Sequence, residues 1–287
     1  MIKIIKIFSY LFIFIMFFVS TAFCDHSYFS NIKKQLIKDG FKPDFIDKIY
    51  KPSKVKFDFK SSSLFFTISE HKLDYKNFIS KKNIKKINAY IKKHNDVFKR
   101  AYKRYNVPSE VIASIILVET RLGQYTGSRN ILSVLSSIAA IKSAHVRKMV
   151  RKSISTVKNR YSFSKFNSRG IKKSKFAYKE LKAFLKFCIT NGVKPYNIKG
   201  SYAGAYGIPQ FMPSNIILYG KDGNNDDLID LSLHDDAIMS TANYLKSHGW
   251  TKNLKEDIAR KVIKKYNNSV PYIDTVLELS KRAGDKK

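Results

Sequence analysis

Acid is scarce in this chain, with 22 Asp and Glu against 54 Lys and Arg in 287 residues, a formal charge of +32. Cysteine is scarcer still. Cys24 and Cys188 are the only two, and a chain that loses its first 24 residues cannot form an internal disulfide. Stability then falls to an apolar core, which 287 residues at 44% hydrophobic content can supply. The zinc motif HExxH and a phosphate-binding loop are both missing, and alternating strand patterns are few, so the expected fold class is mainly α. The excess of base suits an anionic partner, whether nucleic acid, membrane surface or acidic polymer. It equally suits a Lys-, Asn- and Ile-rich compositional habit. The lysines are spread along the whole chain, whereas a nucleic-acid face needs basic and aromatic residues clustered together.

Met1–Cys24 reads as a targeting segment. Lys3 and Lys6 give a positive start, Ile7–Phe18 an apolar core, and Ser20–Cys24 a cleavage region. The apolar run is short of the about 20 residues that span a bilayer, so the expectation is export, with a retained anchor or a lipid on Cys24 as alternatives. Phe23 is bulky for lipidation. Removing the segment takes away two lysines and no acid and leaves +30. Export opposes a role on intracellular nucleic acid.

Residues 25–74 read as a helical or extended segment. Short helical patterns over Phe29–Tyr50 are followed by Val55, Phe57 and Phe59 in alternation, which predicts a small strand pair or extended loop over Val55–Ser69. Helical spacing returns over Asn83–Tyr105 and Ile131–Ile141. Lys142–Lys175 has no acid and few apolar residues, and reads as a basic excursion on the surface, centred on 142–171. Phe176–Thr190 is amphipathic and carries Cys188 on its apolar face, where a thiol is inert. Further helices are expected over Asp235–Ser247, Leu254–Asn267 and a short stretch to Leu279.

Two stretches carry chemistry. In Val111–Gly123, VIASIILVETRLG, seven of the eight residues Val111–Val118 are apolar, so the helix is buried. It delivers one carboxylate, Glu119, into a poorly solvated place. Desolvation favours the neutral form and equips a Glu to donate a proton near neutral pH; a structural Glu paired with Arg121 is the plain alternative. Gly200–Ser214, GSYAGAYGIPQFMPS, breaks all periodicity with three Gly and two Pro. It is a loop where backbone approaches something closely, and Ser201, Tyr202, Tyr206 and Gln210 offer the polar and stacking groups of a sugar or peptide site.

VETRLG, GSYAGAYGIPQFMPS and YNNSVPYIDTVL, in that order, resemble the lytic murein transglycosylases of the membrane-bound B (MltB) type, a family with a lysozyme-like core. The resemblance runs from about Tyr75 to Leu279 and implies a catalytic domain over 75–287. It implies that Glu119 is the single acid and base, that Ser201 and Gln210 bond the sugar, that Tyr244 stacks on the glycan, and that Asn267 and Tyr272 close the site opposite Glu119. Tyr75 matches a cleft tyrosine, and Lys172 and Lys173 match paired arginines that hold the peptide stem. The implied reaction cuts the β-1,4 bond between N-acetylmuramic acid and N-acetylglucosamine without water, leaving 1,6-anhydro ends. The implied partners are peptidoglycan strands, and wall-synthesis or division proteins, for a monomer in the periplasm that binds no nucleic acid. The chain departs from the family in the length of 142–171 and in Tyr206–Pro209.

No cofactor is implied for catalysis. The acid-rich stretch 222–236 places Asp222, Asn224, Asp226 and the Leu228 carbonyl at alternate positions, as hard-oxygen calcium ligands require. Asp227 replaces the usual Gly and Leu233 the closing Glu, so the strict pattern fails; the resemblance supplies Asp236 as the closing acid of a structural Ca2+ site. A solvated acidic turn is the alternative. Two other functions stay open: a hydrolase using an ordered water, and a wall-binding protein without turnover.

Overall fold

The computed structural model describes residues 28–68, 74–153 and 162–285; the expectations for Met1–Cys24 lie outside them. Thirteen α-helices and one two-stranded antiparallel ladder, β1 (Arg129–Asn130) with β2 (Lys199–Gly200), are formed among these residues, as the scarcity of strand patterns requires. The chain divides into two compact units. One joins the start of the chain through Phe66 to Leu132–Lys182, and the other joins Thr67–Ile131 to Ala183–Lys287.

In the first unit, α1 (Ser30–Lys38), α2 (Pro43–Ile49) and α3 (Phe59–Thr67) accompany α7 (Ile131–Ala140), α8 (Ala144–Ser153) and the first part of α9 (Phe163–Thr190). Where a small strand pair or an extended loop was expected over Val55–Ser69, only the first residues are extended and α3 follows from Phe59. Asp58 caps it, accepting the Ser61 N–H at 2.8 Å and the Ser61 hydroxyl at 2.7 Å. The Val55–Phe57 alternation belongs to the extended lead-in, which the Ser137 hydroxyl holds by accepting the Asp58 N–H. The basic stretch is more than an exposed excursion: Val146 and Val150 are buried at helical spacing on α8, and Phe166, buried on α9, packs on Phe66.

The second unit is built round α6 (Ser109–Thr120). Every residue from Val111 to Val118 is buried, because the helix is covered by α4 (Lys81–Lys93), α5 (Asn95–Tyr105), α11 (His234–Ser247) and α13 (Val270–Gly284). The pattern expected as one helix over Asn83–Tyr105 is broken at His94, where α4 ends and α5 begins. α10 (Pro213–Tyr219) and α12 (Glu256–Tyr266) complete the unit. Cys188 is buried, and desolvation pushes its thiol up to about 12.

Candidate active site

The last turn of α6 presents Glu119, half-buried at the end of an otherwise buried helix. The chain then reverses through three left-handed residues, Arg121 (φ 51°), Leu122 (φ 63°) and Gly123 (φ 87°). Only the third is a glycine, so the turn beside Glu119 carries backbone strain at two side-chain-bearing positions.

Facing Glu119 is the first turn of α13. The Tyr272 hydroxyl donates to Glu119 Oε1 at 2.7 Å. Tyr272 is 1% exposed, and burial together with the Glu119 charge pushes its phenol well above the ordinary value, so it remains a neutral donor. Tyr75 meets the Tyr272 ring edge-on at 5.6 Å, and Tyr266 stacks on its other side at 6.5 Å and 11°. Tyr266 donates to the Pro209 carbonyl at 2.5 Å, which ties this aromatic group to the glycine-rich loop. Asn267, half-buried, follows Tyr266 as the residue that ends α12.

The loop is shaped by backbone contact. A methyl on Gly200 would lie 2.1 Å from the Ala205 carbonyl oxygen, and one on Gly207 (φ +76°) 2.5 Å from that of Leu231; no larger residue fits either position. Ser201 folds the tip: its hydroxyl oxygen accepts the N–H groups of Ala203 at 3.2 Å and Ala205 at 3.0 Å. Gln210 is left-handed (φ 51°), and its side-chain amide donates to the carbonyls of Gly207 at 2.8 Å and Thr126 at 3.1 Å. Its nitrogen therefore ties the loop to itself and to Thr126.

Glu119, Tyr272 and Tyr75 are thus brought together as expected, with Asn267 and the loop joined to them through Tyr266. Tyr266 is not among the residues singled out from the sequence; the signal for it is its place directly before Asn267 in YNNSVPY. Tyr244 is corrected. It is 4% exposed, its hydroxyl donates to the Lys265 carbonyl at 2.7 Å, and Phe211, Tyr219, His248 and Tyr266 surround its ring, so no face is open for stacking on a glycan. In the first unit, Lys172 is exposed, whereas Lys173 turns inward over the Phe65 ring at 3.9 Å and donates to the Phe65 carbonyl. Burial lowers its ammonium to about 8, which does not suit a hand held out to a peptide.

The acidic loop is folded on its own backbone. Asp222 Oδ1 accepts the N–H groups of Asn224, Asn225 and Asp226, and Oδ2 accepts that of Asp227. Asp227 at the usual glycine position is left-handed, φ 63°. Asp236 is fully buried, with one carboxylate oxygen on the Gly223 N–H and the other on the Asp230 N–H. Its carboxyl is raised above the ordinary value, by burial first and also by the charges of Asp222 and Asp226. Carboxylate and amide oxygens are the hard ligands Ca2+ takes, but among the described residues no three His, Cys, Asp or Glu stand together as a ligand group.

The family model described as the transglycosylase SLT domain matches residues 25–260, and the chain belongs to that family. Membrane-bound lytic murein transglycosylase B of Escherichia coli strain K12 is 34% identical over 177 residues, 62% of this chain and 41% of that protein. The chain therefore spans less than half the length of that relative. Among solved structures, E. coli lytic transglycosylase Slt35 in complex with calcium matches with a TM-score of 0.71 and 23% identity, over 91% of this chain and 94% of its own. Pseudomonas aeruginosa SltB3 in complex with NAG-anhNAM-pentapeptide matches with a TM-score of 0.70 and 18% identity, over 89% and 78%. At these identities the two structures establish a shared fold.

Proposed function

We propose that this protein is a lytic transglycosylase that cleaves the β-1,4 bond between N-acetylmuramic acid and N-acetylglucosamine in peptidoglycan. The observation that carries the reading is the Glu119 carboxylate at the end of a buried helix, held by a buried neutral tyrosine. Glycosidases that use water place two carboxylates about 5–9.5 Å apart. Here, among the described residues, Glu119 meets Tyr272, which Tyr75 and Tyr266 flank, and these groups are all neutral. One carboxylate suffices if the substrate supplies its own nucleophile. Glu119 first gives its proton to the glycosidic oxygen as the bond to the anomeric carbon breaks. The resulting carboxylate then takes the proton of the muramoyl 6-hydroxyl, and that oxygen closes onto the anomeric carbon. The product is a 1,6-anhydro end, Glu119 regains its proton, and no water is consumed. A relative of the same fold is seen with an anhydro sugar, NAG-anhNAM-pentapeptide, which supports this outcome.

The protein acts outside the cytoplasm, on the reading of Met1–Cys24; among the described residues no helix is long and apolar enough to cross a membrane. The residues proposed for the reaction fall within 75–287 and all in the second unit, while 132–182 belong to the first. Asp222, Asn224, Asp226, the Leu228 carbonyl and Asp236 hold a structural Ca2+, a role supported by the mutual repulsion of these acids and by the calcium complex of Slt35. The ion neutralises the loop and enters no step of the sugar chemistry.

Digestion of purified murein followed by mass spectrometry tests the reaction. Products one water lighter than ordinary muropeptides and resistant to borohydride are expected, and Glu119→Gln should keep binding while losing cleavage by about 10²–10⁴-fold, the contribution typical of general acid–base catalysis. Reducing ends would instead establish a hydrolase. Bound murein with no products would establish a wall-binding protein.

A further inference from the structure

Thr120, directly after Glu119, is 1% exposed. Its hydroxyl donates to the Ile208 carbonyl at 2.8 Å and accepts the Gly123 N–H at 3.0 Å; the Ile116 carbonyl of its own helix is a weaker partner at 3.3 Å. Ile208 is held on its other side, where its N–H donates to the Leu231 carbonyl at 2.8 Å. The next carbonyl, that of Pro209, takes the Tyr266 hydroxyl, Tyr266 stacks on Tyr272, and Tyr272 donates to Glu119. A circuit of contacts therefore leaves the backbone of Glu119 through Thr120 and returns to its carboxylate through two tyrosines.

We propose that Thr120 is a positioning residue for the reaction. Its hydroxyl sets the separation between Glu119 and the glycine-rich loop, and so between the proton donor and the sugar the loop holds. It touches no reacting atom. The inference rests on the function proposed above. A valine keeps the shape of threonine but offers neither donor nor acceptor. The Ile208 carbonyl would then be left unpaired in a buried place, the half-buried Gly123 N–H would lose its acceptor, and the loop would move to rehydrate the carbonyl. A displacement of order 1 Å at a catalytic site costs about a hundredfold in rate.

The test compares kcat and KM on soluble glycan strands for the unaltered chain, Thr120→Val, Thr120→Ser and Glu119→Gln, normalised to folded protein and read well below each melting temperature. Thr120→Val should lower kcat by about ten- to a hundredfold with KM changed less than about threefold, and Thr120→Ser should restore it. Thr120→Ala should show the same loss of kcat, which keeps the test decisive if the valine variant does not fold. An unchanged kcat in Thr120→Val or Thr120→Ala, or a serine variant as slow as either, would overturn the proposal. A purely structural role would lower the melting temperature and leave kcat per folded molecule alone. If the unaltered chain is no faster than Glu119→Gln, the function itself is wrong, and the role of Thr120 falls with it.

Discussion

The hydroxyl of Tyr272 and the carboxylate of Glu119 lie 2.7 Å apart although 153 residues separate them in sequence. One comes from the first turn of α13 and the other from the last turn of α6, the two helices that pack most extensively in their unit. A hydrogen bond to a charged group contributes about 1.5–3 kcal/mol. Tyr272→Phe is therefore expected to lower kcat/KM by about ten- to a hundredfold while leaving the fold intact, since the ring keeps its contacts with Tyr75 and Tyr266. Steady-state kinetics beside a thermal melt separate these effects. A fully active phenylalanine variant would show that the pairing is idle.

Tyr244 divides two roles cleanly. As a buried member of the Phe211–Tyr266 cluster, it should matter to stability and little to turnover. Tyr244→Ala is expected to cost about 3–5 kcal/mol of folding free energy, as other large aromatic deletions do. Tyr244→Phe should retain activity within about threefold. Denaturant titration and murein digestion give the two numbers. A stable Tyr244→Leu with weakened glycan binding would restore the stacking role.

Calcium should stabilise the folded chain by mass action, about 2.7 kcal/mol at a hundredfold excess over the dissociation constant. Melting with Ca2+ and with a chelator measures this directly. Asp226→Asn should blunt the response with little effect on the metal-free protein. Asp236→Ala should also destabilise the metal-free protein, because the N–H groups of Gly223 and Asp230 lose their acceptor. No shift at millimolar Ca2+ would leave the loop a solvated turn.

His94 and His234 lie ring against ring at 4.5 Å, and the Tyr90 hydroxyl pairs with His234 Nδ1 at 2.9 Å. Burial lowers both below the ordinary 6.5, with Lys93 and, for His234, the neighbouring His94 adding to it and Asp235 opposing. The unfolded chain therefore binds more protons than the folded one as pH falls through that value. Stability should be complete above about pH 6.5 and decline below it. Melts between pH 7.5 and 5 should show the decline, and His94→Gln should flatten it. An equally steep decline in that variant would place the proton elsewhere.

The buried α6, its single acid and the glycine-rich loop were legible because each is a local pattern: an unbroken apolar run, one charge at its end, and small residues in a cluster. The partner of Glu119 was legible only through the resemblance of YNNSVPY. What failed was long-range. Ser61 and Ser62 are fully buried, and nothing local shows that serines will face inward and turn an alternating stretch into α3. Tyr244 and Tyr266 occupy equivalent-looking positions on amphipathic helices, yet one fills the core and the other supports the tyrosine at Glu119. That choice is made by which elements pack on each ring. Lys173 looked like half of an exposed basic pair because sequence does not reveal that two phenylalanines lie beside it.

The tight approaches at Gly200 and Gly207 also bear on how the protein could be altered. With backbone oxygens 2.1 and 2.5 Å from where a β-carbon would stand, these positions have no tolerated substitutes, whatever the glycan offered. Variant libraries aimed at new substrates should leave both untouched and place their diversity at loop positions whose β-carbons already stand clear of that backbone.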